Sequence, residues 1–293
     1  MAQRICFLGH GGSGKSTVAQ NISHALALLG YRVLLVGDSF YSTALLRGQA
    51  EVLPALEAYR AQYKINLKDC ILPTQSGVFC LELGSIEPGI GCLARGVNLI
   101  DEMLETQNIT QGLGLDYILY DISGEIPCTG YILPIREGVM HRCILVTNGS
   151  FAAAATVNSL LQAVVKAGRR DVLPVQLLLN SAGPEAKEQL LSFAQAVNLP
   201  VLGSVEYAKG LHYSALAGKT IFAAAPQCPA AQNMRQVAQA LLKPAQPAPL
   251  APYTRSELLS WISAWQQREL HRLLEEEGQP YSNSSGEQGG KHG

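Results

Sequence analysis

Residues 9–16 constrain this chain more than any other stretch. Gly9-His10-Gly11-Gly12-Ser13-Gly14-Lys15-Ser16 matches G-x-x-x-x-G-K-[ST] at every fixed position. That motif works only between a strand and a helix. Arg4-Ile5-Cys6-Phe7-Leu8 supplies the apolar lead, and residues 16–29 continue with helical periodicity. Glycines let successive backbone N–H groups turn inward on phosphate oxygens, and the helix N-terminus adds partial positive charge. In this arrangement Lys15 reaches the β/γ-phosphates and the Ser16 hydroxyl ligates Mg²⁺. Gly9, Gly11, Gly12, Ser13, Gly14, Lys15 and Ser16 are therefore the candidate phosphate-binding residues.

The rest of the chain fits around that loop. Short apolar runs at 5–8, 33–36, 78–81, 117–120, 143–146, 175–179 and 201–205 predict strands. Helix-period segments at 16–29, 96–106, 151–167, 184–197 and 229–242 lie between several of them. Continuous apolar strands alternating with helices predict an α/β protein. Its fold class is a P-loop NTPase three-layer fold with a mostly parallel central sheet covered by helices on both faces. This domain spans 1–242. A proline-rich linker follows at 243–253, then a helical arm at 254–277 opened by the capping box Thr254-Arg-Ser-Glu257. The polar, Gly/Ser-rich residues 278–293 read as a disordered tail. Trp261 and Trp265, four apart on the arm, are expected to dock it on the body or on a second subunit.

Charge excludes some partners. The 293 residues carry a formal net charge of -1 and only 15% charged residues, so there is no basic field for nucleic acid or anionic lipid. No apolar run approaches the ~20 residues of a membrane span, and the N-terminus lacks a signal-peptide profile. A chain this long does not need a disulfide framework, and seven cysteines are an odd number for one. The sequence therefore predicts a reducing cytoplasm, with the cysteines as free thiols or as metal or cluster ligands.

Asp121 closes the strand at 117–120, where a carboxylate beside a phosphate loop suits Mg²⁺ or its water. Asp38 stands just after the second strand, within reach of the same region. Cys92 and Cys128 both follow Gly/Pro-rich loop segments and precede candidate helices, a setting that stabilises thiolate and cluster sulfur. Cys6, Cys70, Cys80, Cys143 and Cys228 have no ligand-like spacing and read as packing or surface thiols. His141 and His212 show no recognised metal-ligand spacing and do not read as metal ligands.

With the phosphate loop, the segments Glu87-Pro-Gly-Ile-Gly-Cys-Leu-Ala-Arg-Gly-Val97, Tyr120-Asp-Ile-Ser-Gly-Glu-Ile-Pro-Cys128 and Leu133-Pro-Ile-Arg-Glu137 are shared with one family. The chain resembles the nitrogenase iron protein family, as a divergent nitrogenase reductase-like member. The resemblance implies a homodimer with one [4Fe-4S] cluster between subunits, each giving Cys92 and Cys128. It implies MgATP at residues 9–17, which adds Thr17, with Asp38 and Asp121 near the metal and Asn180 near the adenine. It places Glu125 where the family aspartate thought to position the attacking water stands, and Arg95 on the docking face for a nitrogenase-like catalytic component. Ferredoxin or flavodoxin would load the cluster.

The sequence departs from the family at its hydrolytic parts. His10 stands where the family has a lysine that reaches the other subunit's nucleotide. The imidazole is shorter than that side chain. The first switch, Asp38-Ser39-Phe40-Tyr41-Ser42-Thr43, is one residue short and lacks the family's second aspartate and its lysine. Ala208 stands where the family has an aspartate at the base. The expectation is an ATP-dependent electron-transfer protein with a slow ATPase. The two alternatives are a nucleotide- and cluster-binding sensor or maturation factor, and a cluster-free partitioning-type ATPase.

Overall fold

Each apolar run named above forms a strand. The structure, a computed structural model, describes residues 2–84, 93–122, 135 and 138–276, with the side chains of 93–95 and 276 outside that description. The chain divides into two units, 1–252 and 253–293. The strands of the first are β1 Gln3–Leu8, β2 Val33–Gly37, β3 Ile71–Pro73, β4 Val78–Glu82, β5 Tyr117–Asp121, β6 Arg142–Thr147, β7 Val175–Asn180 and β8 Val201–Val205. The helices are α1 Lys15–Leu28, α2 Ala44–Arg47, α3 Ala55–Gln62, α4 Leu93–Thr106, α5 Ile109–Gly112, α6 Phe151–Lys166, α7 Pro184–Ala196, α8 Lys209–Leu216, α9 Ile221–Ala224 and α10 Pro229–Leu241.

The eight strands form one sheet in the order β3-β4-β2-β5-β1-β6-β7-β8. All pair in parallel except β3 with β4. No apolar run marks β3 in the sequence. Three residues carry no periodicity, and Pro73 is tolerated there because β3 is an edge strand. β1 lies at the centre between β5 and β6, so the loop after it opens at the middle of the sheet's C-terminal edge.

The two faces of the sheet differ. Ile5, Phe7, Leu35, Leu119, Ile144 and Val146 pack with Val18 and Ile22 of α1 and Met234 and Val237 of α10 in one apolar cluster. On β1 and β5, Arg4 and Tyr120 instead meet α4. Arg4 Nε bonds Asp101 Oδ1 at 2.6 Å, the Tyr120 hydroxyl donates to the same oxygen at 2.5 Å, and Arg4 Nη2 reaches Glu105 Oε1 at 2.5 Å. A buried guanidinium with two carboxylate partners has its charge compensated. The network also fastens the helix that begins directly after Cys92.

The proline-rich stretch forms neither helix nor strand, yet it is held on unit 1. Ala251 N donates to Val197 O at 3.0 Å, Asn198 Nδ2 donates to Pro249 O at 3.1 Å, and Leu250 is buried. In the second unit α11 spans Arg255–Glu276. Its capping box is formed as the spacing predicts: Thr254 N donates to Glu257 Oε2 at 2.7 Å and Glu257 N to Thr254 Oγ1 at 3.3 Å. Residues 278–293 lie outside the described residues. Among the described residues no helix is long and apolar enough to cross a membrane.

Candidate functional site

Five parallel strands end around the phosphate loop: β1 at Leu8, β2 at Gly37, β5 at Asp121, β6 at Thr147 and β7 at Asn180. Residues 9–14 then turn on three glycines with positive φ, at 152° for Gly9, 75° for Gly12 and 85° for Gly14. At two of them a side chain would also meet a close neighbour, backbone at Gly9 and a side-chain amide at Gly14. A Cβ on Gly9 would stand 2.1 Å from Val146 O, and one on Gly14 would stand 2.2 Å from Asn180 Nδ2.

The loop is braced from beneath by two asparagines. Asn180 Nδ2 donates to Ser13 O at 2.9 Å, and Asn148 Nδ2 donates to Gly12 O at 3.3 Å. Lys15 is buried, and its ammonium donates across the loop to His10 O at 3.4 Å. The His10 carbonyl also accepts from Ser13 N at 3.1 Å, so side chains and one backbone bond hold three of the loop's carbonyls and fix its shape for an anion. The Ser13 hydroxyl is buried with no hydrogen-bond partner among the described residues.

Asp121 is the electrostatic anomaly of the site. It is 1% exposed, and neither carboxylate oxygen completes a hydrogen bond among the described residues. Burial pushes its carboxyl up to about 6, and Asp38 adds to that rise; the Ser16 and Ser42 hydroxyls and Lys15 lie close enough to oppose it. A buried carboxylate with no completed hydrogen bond among the described residues, beside a Ser16 hydroxyl and a phosphate cradle, has the donor set of a hard divalent cation. Asp38 joins it from β2: its N–H donates to Asp121 O at 3.2 Å, and its Oδ1 accepts from Ser42 Oγ at 3.1 Å.

The first switch is pinned rather than loose. Gln20 is buried on α1. Its Nε2 donates to both Ser16 O and Tyr41 O at 3.0 Å, and its Oε1 accepts from Leu45 N at 2.6 Å. Arg47 pairs with Glu82 at 2.9 Å and reaches Phe40 O at 3.3 Å. Phe40 and Tyr41 themselves stay exposed, with ring centroids 4.0 Å apart. His10 Nδ1 lies 3.2 Å from Thr156 Oγ1 of α6, in the same chain. Ala208 caps α8 without a side-chain bond.

The structure thus brings together residues 9–17, Asp38, Asp121 and Asn180. The family resemblance puts Asn180 at the adenine, but its amide nitrogen holds the loop instead of standing free. Gln20 and Asn148 escape a reading of the sequence, because a mid-helix glutamine and a post-strand asparagine carry no motif. Asn148-Gly149-Ser150 is a turn signal that marks the place but not the contact. Cys92, Cys128 and Glu125 lie outside the described residues, as does the Arg95 side chain. Of the other cysteines, Cys6, Cys70, Cys80 and Cys143 are buried. Burial pushes the Cys80 thiol up to about 12, with Glu82 adding to the rise. A hydrogen bond with Cys6, then burial, raise Cys143 well above its ordinary value. Such thiols stay protonated and make poor ligands.

Comparison with known proteins matches residues 3–267 to the family described as 4Fe-4S iron sulfur cluster binding proteins, NifH/frxC family. The chain is 32% identical to nitrogenase iron protein 2 of Paenibacillus durus over 267 residues, covering 90% of this chain and 91% of that one. It is 29% identical to nitrogenase iron protein 2 of Methanothermococcus thermolithotrophicus over 254 residues, or 81% and 87% of the two chains. Among solved structures, the MinD cell division protein of Aquifex aeolicus superposes with a TM-score of 0.67 at 17% identity, covering 84% of this chain and 99% of that one. MinD of Pyrococcus horikoshii, complexed with Mg-ADP, gives 0.63 at 21% identity, covering 83% and 97%. The fold is therefore that of the P-loop ATPases.

Proposed function

The chain belongs to the NifH/frxC family of 4Fe-4S iron–sulfur cluster binding proteins, and from that premise we propose an ATP-dependent electron carrier for a nitrogenase-like catalytic component. The observation that carries this reading is Asp121, a buried carboxylate at the phosphate cradle that completes no hydrogen bond among the described residues, seven residues before Cys128. A group that answers to nucleotide and Mg²⁺ thus stands on the strand leading to a proposed cluster ligand.

In this reading two chains form a homodimer. Cys92 and Cys128 of each supply the four thiolates that a [4Fe-4S] cluster requires. The cluster would supply single-electron transfer. The chain's own groups do the rest. N–H groups of residues 9–17 and Lys15 hold the phosphates, Ser16 and Asp121 hold Mg²⁺, and Asp38 supports Asp121 through their backbone bond. Glu125 orients water, and Arg95 faces the catalytic component. Asn180 keeps its carbonyl oxygen for the adenine amino group. Ferredoxin or flavodoxin is the donor and the cytoplasm the compartment. Little covalent chemistry falls to the protein, so hydrolysis acts as a gate.

Anaerobic purification, iron analysis and EPR of the reduced protein test this. About four irons per dimer are expected, falling to background in Cys92→Ser and Cys128→Ser. An iron-free wild-type protein after anaerobic reconstitution would sink the electron-carrier reading and leave the cluster-free partitioning-type ATPase, whose fold the MinD likeness shares.

One observation favours a second reading, the sensor or maturation factor with weak hydrolysis. His10 is engaged with Thr156 of its own chain, and the residue is shorter than the lysine it replaces. A cation supplied in trans is worth ~10³–10⁵ in phosphoryl transfer. His10→Lys is expected to raise steady-state ATP turnover at least ~10-fold by that mechanism. Brisk wild-type turnover unchanged by the substitution rules out the slow-ATPase account.

A further inference from the structure

At the edge of the sheet opposite the phosphate loop, β1, β5 and β6 begin and α10 ends. A cavity of about 370 Å³ opens there, lined among others by Gln3, Tyr117, His141, Arg142 and Lys243. That volume lies at the lower end of the range of small-molecule sites.

Arg142 is the unusual group. It is 7% exposed, yet its partners are all neutral: Nε donates to Gln176 Oε1 at 2.6 Å, and Nη1 donates to Leu241 O at 2.9 Å and Lys243 O at 3.3 Å. Among the described residues no carboxylate pairs with it, and Nη2 makes no hydrogen bond. Burying a cation without a counter-charge is costly. Arg4, two residues into the neighbouring strand, shows the usual remedy, with Asp101 and Glu105 both bonded to it. Capping the last carbonyls of α10 explains the two bonds of Nη1. The negative end of α10 supplies only part of a counter-charge, and no full anion faces the guanidinium from the described residues.

The other polar side chains of the lining can all donate, and the remainder is apolar. His141 Nδ1 accepts the Arg4 N–H at 3.0 Å, so the ring proton of the neutral imidazole sits on Nε2. Lys243 adds an ammonium, Tyr117 a phenol and Gln3 an amide. No carboxylate lines the cavity among the described residues. Asp116, next to Tyr117, already accepts from Arg32 N at 2.8 Å.

We propose that this cavity binds a small oxyanion, with Arg142, His141 and Lys243 as its donors, at a site separate from the nucleotide site. Phosphate and small carboxylates share the required chemistry: compact negative charge and several acceptor oxygens. The site stands independently of the cluster and of the electron-carrier reading.

Calorimetric titration of the full chain tests the proposal. The Lys15→Ala background keeps phosphate from the phosphate loop, and the two probes are inorganic phosphate and malonate. The expected result is one site per chain for at least one probe. Phosphate binding alone identifies a phosphate-type ligand, and malonate binding alone a carboxylate. Lys243→Gln and His141→Gln should each weaken it at least ~10-fold, the scale of one charge-assisted hydrogen bond, and Arg142→Gln should abolish it. Because Arg142 also holds the end of α10, the first two variants decide the matter if Arg142→Gln does not fold. No binding of either anion at millimolar concentration overturns the proposal, as does binding unchanged by both Lys243→Gln and His141→Gln.

Discussion

Asp121→Asn is expected to raise the stability of the nucleotide-free protein while abolishing Mg²⁺-dependent ATP binding. The Asp121 carboxyl is buried without a hydrogen-bond partner among the described residues, and burial first, then Asp38, lift it to about 6 from an ordinary 3.8. The folded state therefore holds its proton longer than the unfolded chain does. The associated stability is complete below about 4 and is lost as pH rises through about 6. Near neutral pH, keeping the carboxylate ionised in the fold costs on the order of 3 kcal/mol, because each tenfold gain in proton affinity is worth about 1.4 kcal/mol.

Asparagine keeps the shape and removes the charge. A melting series from pH 4.5 to 8 should show roughly a third of the full difference between the two proteins at the acid end. The gap should widen through pH 6 to ~6–12 °C for a unit of this size. The nitrogen of the new amide needs an acceptor, which trims the gain toward the lower figure. A variant no more stable than wild type at pH 7.5 would show that the carboxylate is not strained. Loss of Mg²⁺-dependent nucleotide affinity in the same variant would tie the strain to the metal.

Gly9→Ala should be the most damaging of the loop substitutions. Its Cβ would stand 2.1 Å from Val146 O and 3.1 Å from the same carbonyl carbon. Neither side can yield, because β1 and β6 are paired neighbours in the centre of the sheet. Overpacking against backbone together with a φ of 152° should cost ~3–5 kcal/mol. That corresponds to a fall in Tm of roughly 10 °C or more, with nucleotide binding lost as the loop shifts.

Two neighbouring glycines grade the argument. Gly14→Ala meets the Asn180 amide at 2.2 Å, a side chain that can swing away at the cost of its bond to Ser13 O, about 1–2 kcal/mol. Gly12→Ala meets nothing within 4 Å and loses only what its positive φ costs, about 1 kcal/mol. Thermal melts of the three variants should rank in that order. A Gly12→Ala variant as damaged as Gly9→Ala would contradict the packing account.

Seven of the eight strands are legible as continuous apolar runs, because a parallel sheet covered on both faces has no polar side to interrupt them. β3 escapes because its three residues owe their strand geometry to β4 rather than to their own composition. The short helices Ala44–Arg47, Ala55–Gln62, Ile109–Gly112, Lys209–Leu216 and Ile221–Ala224 escape for a related reason. One or two turns are too few to display a period, so packing decides them. The linker at 243–253 reads as irregular and is irregular, but its fastening to Val197 and Asn198 depends on partners some fifty residues away.

The phosphate loop, the α/β class and the family are all written in contiguous residues whose chemistry is local: glycines where φ is positive, a lysine at the mouth of a helix, cysteines in quotable segments. Which polar groups lack partners is settled only when the chain is folded. Asp121 becomes a strained carboxylate, Asn180 a brace and Arg142 a buried cation beside a cavity once strand register has set their surroundings. Desolvation and missing counter-charges depend on what packs around a group, and those neighbours come from distant parts of the chain.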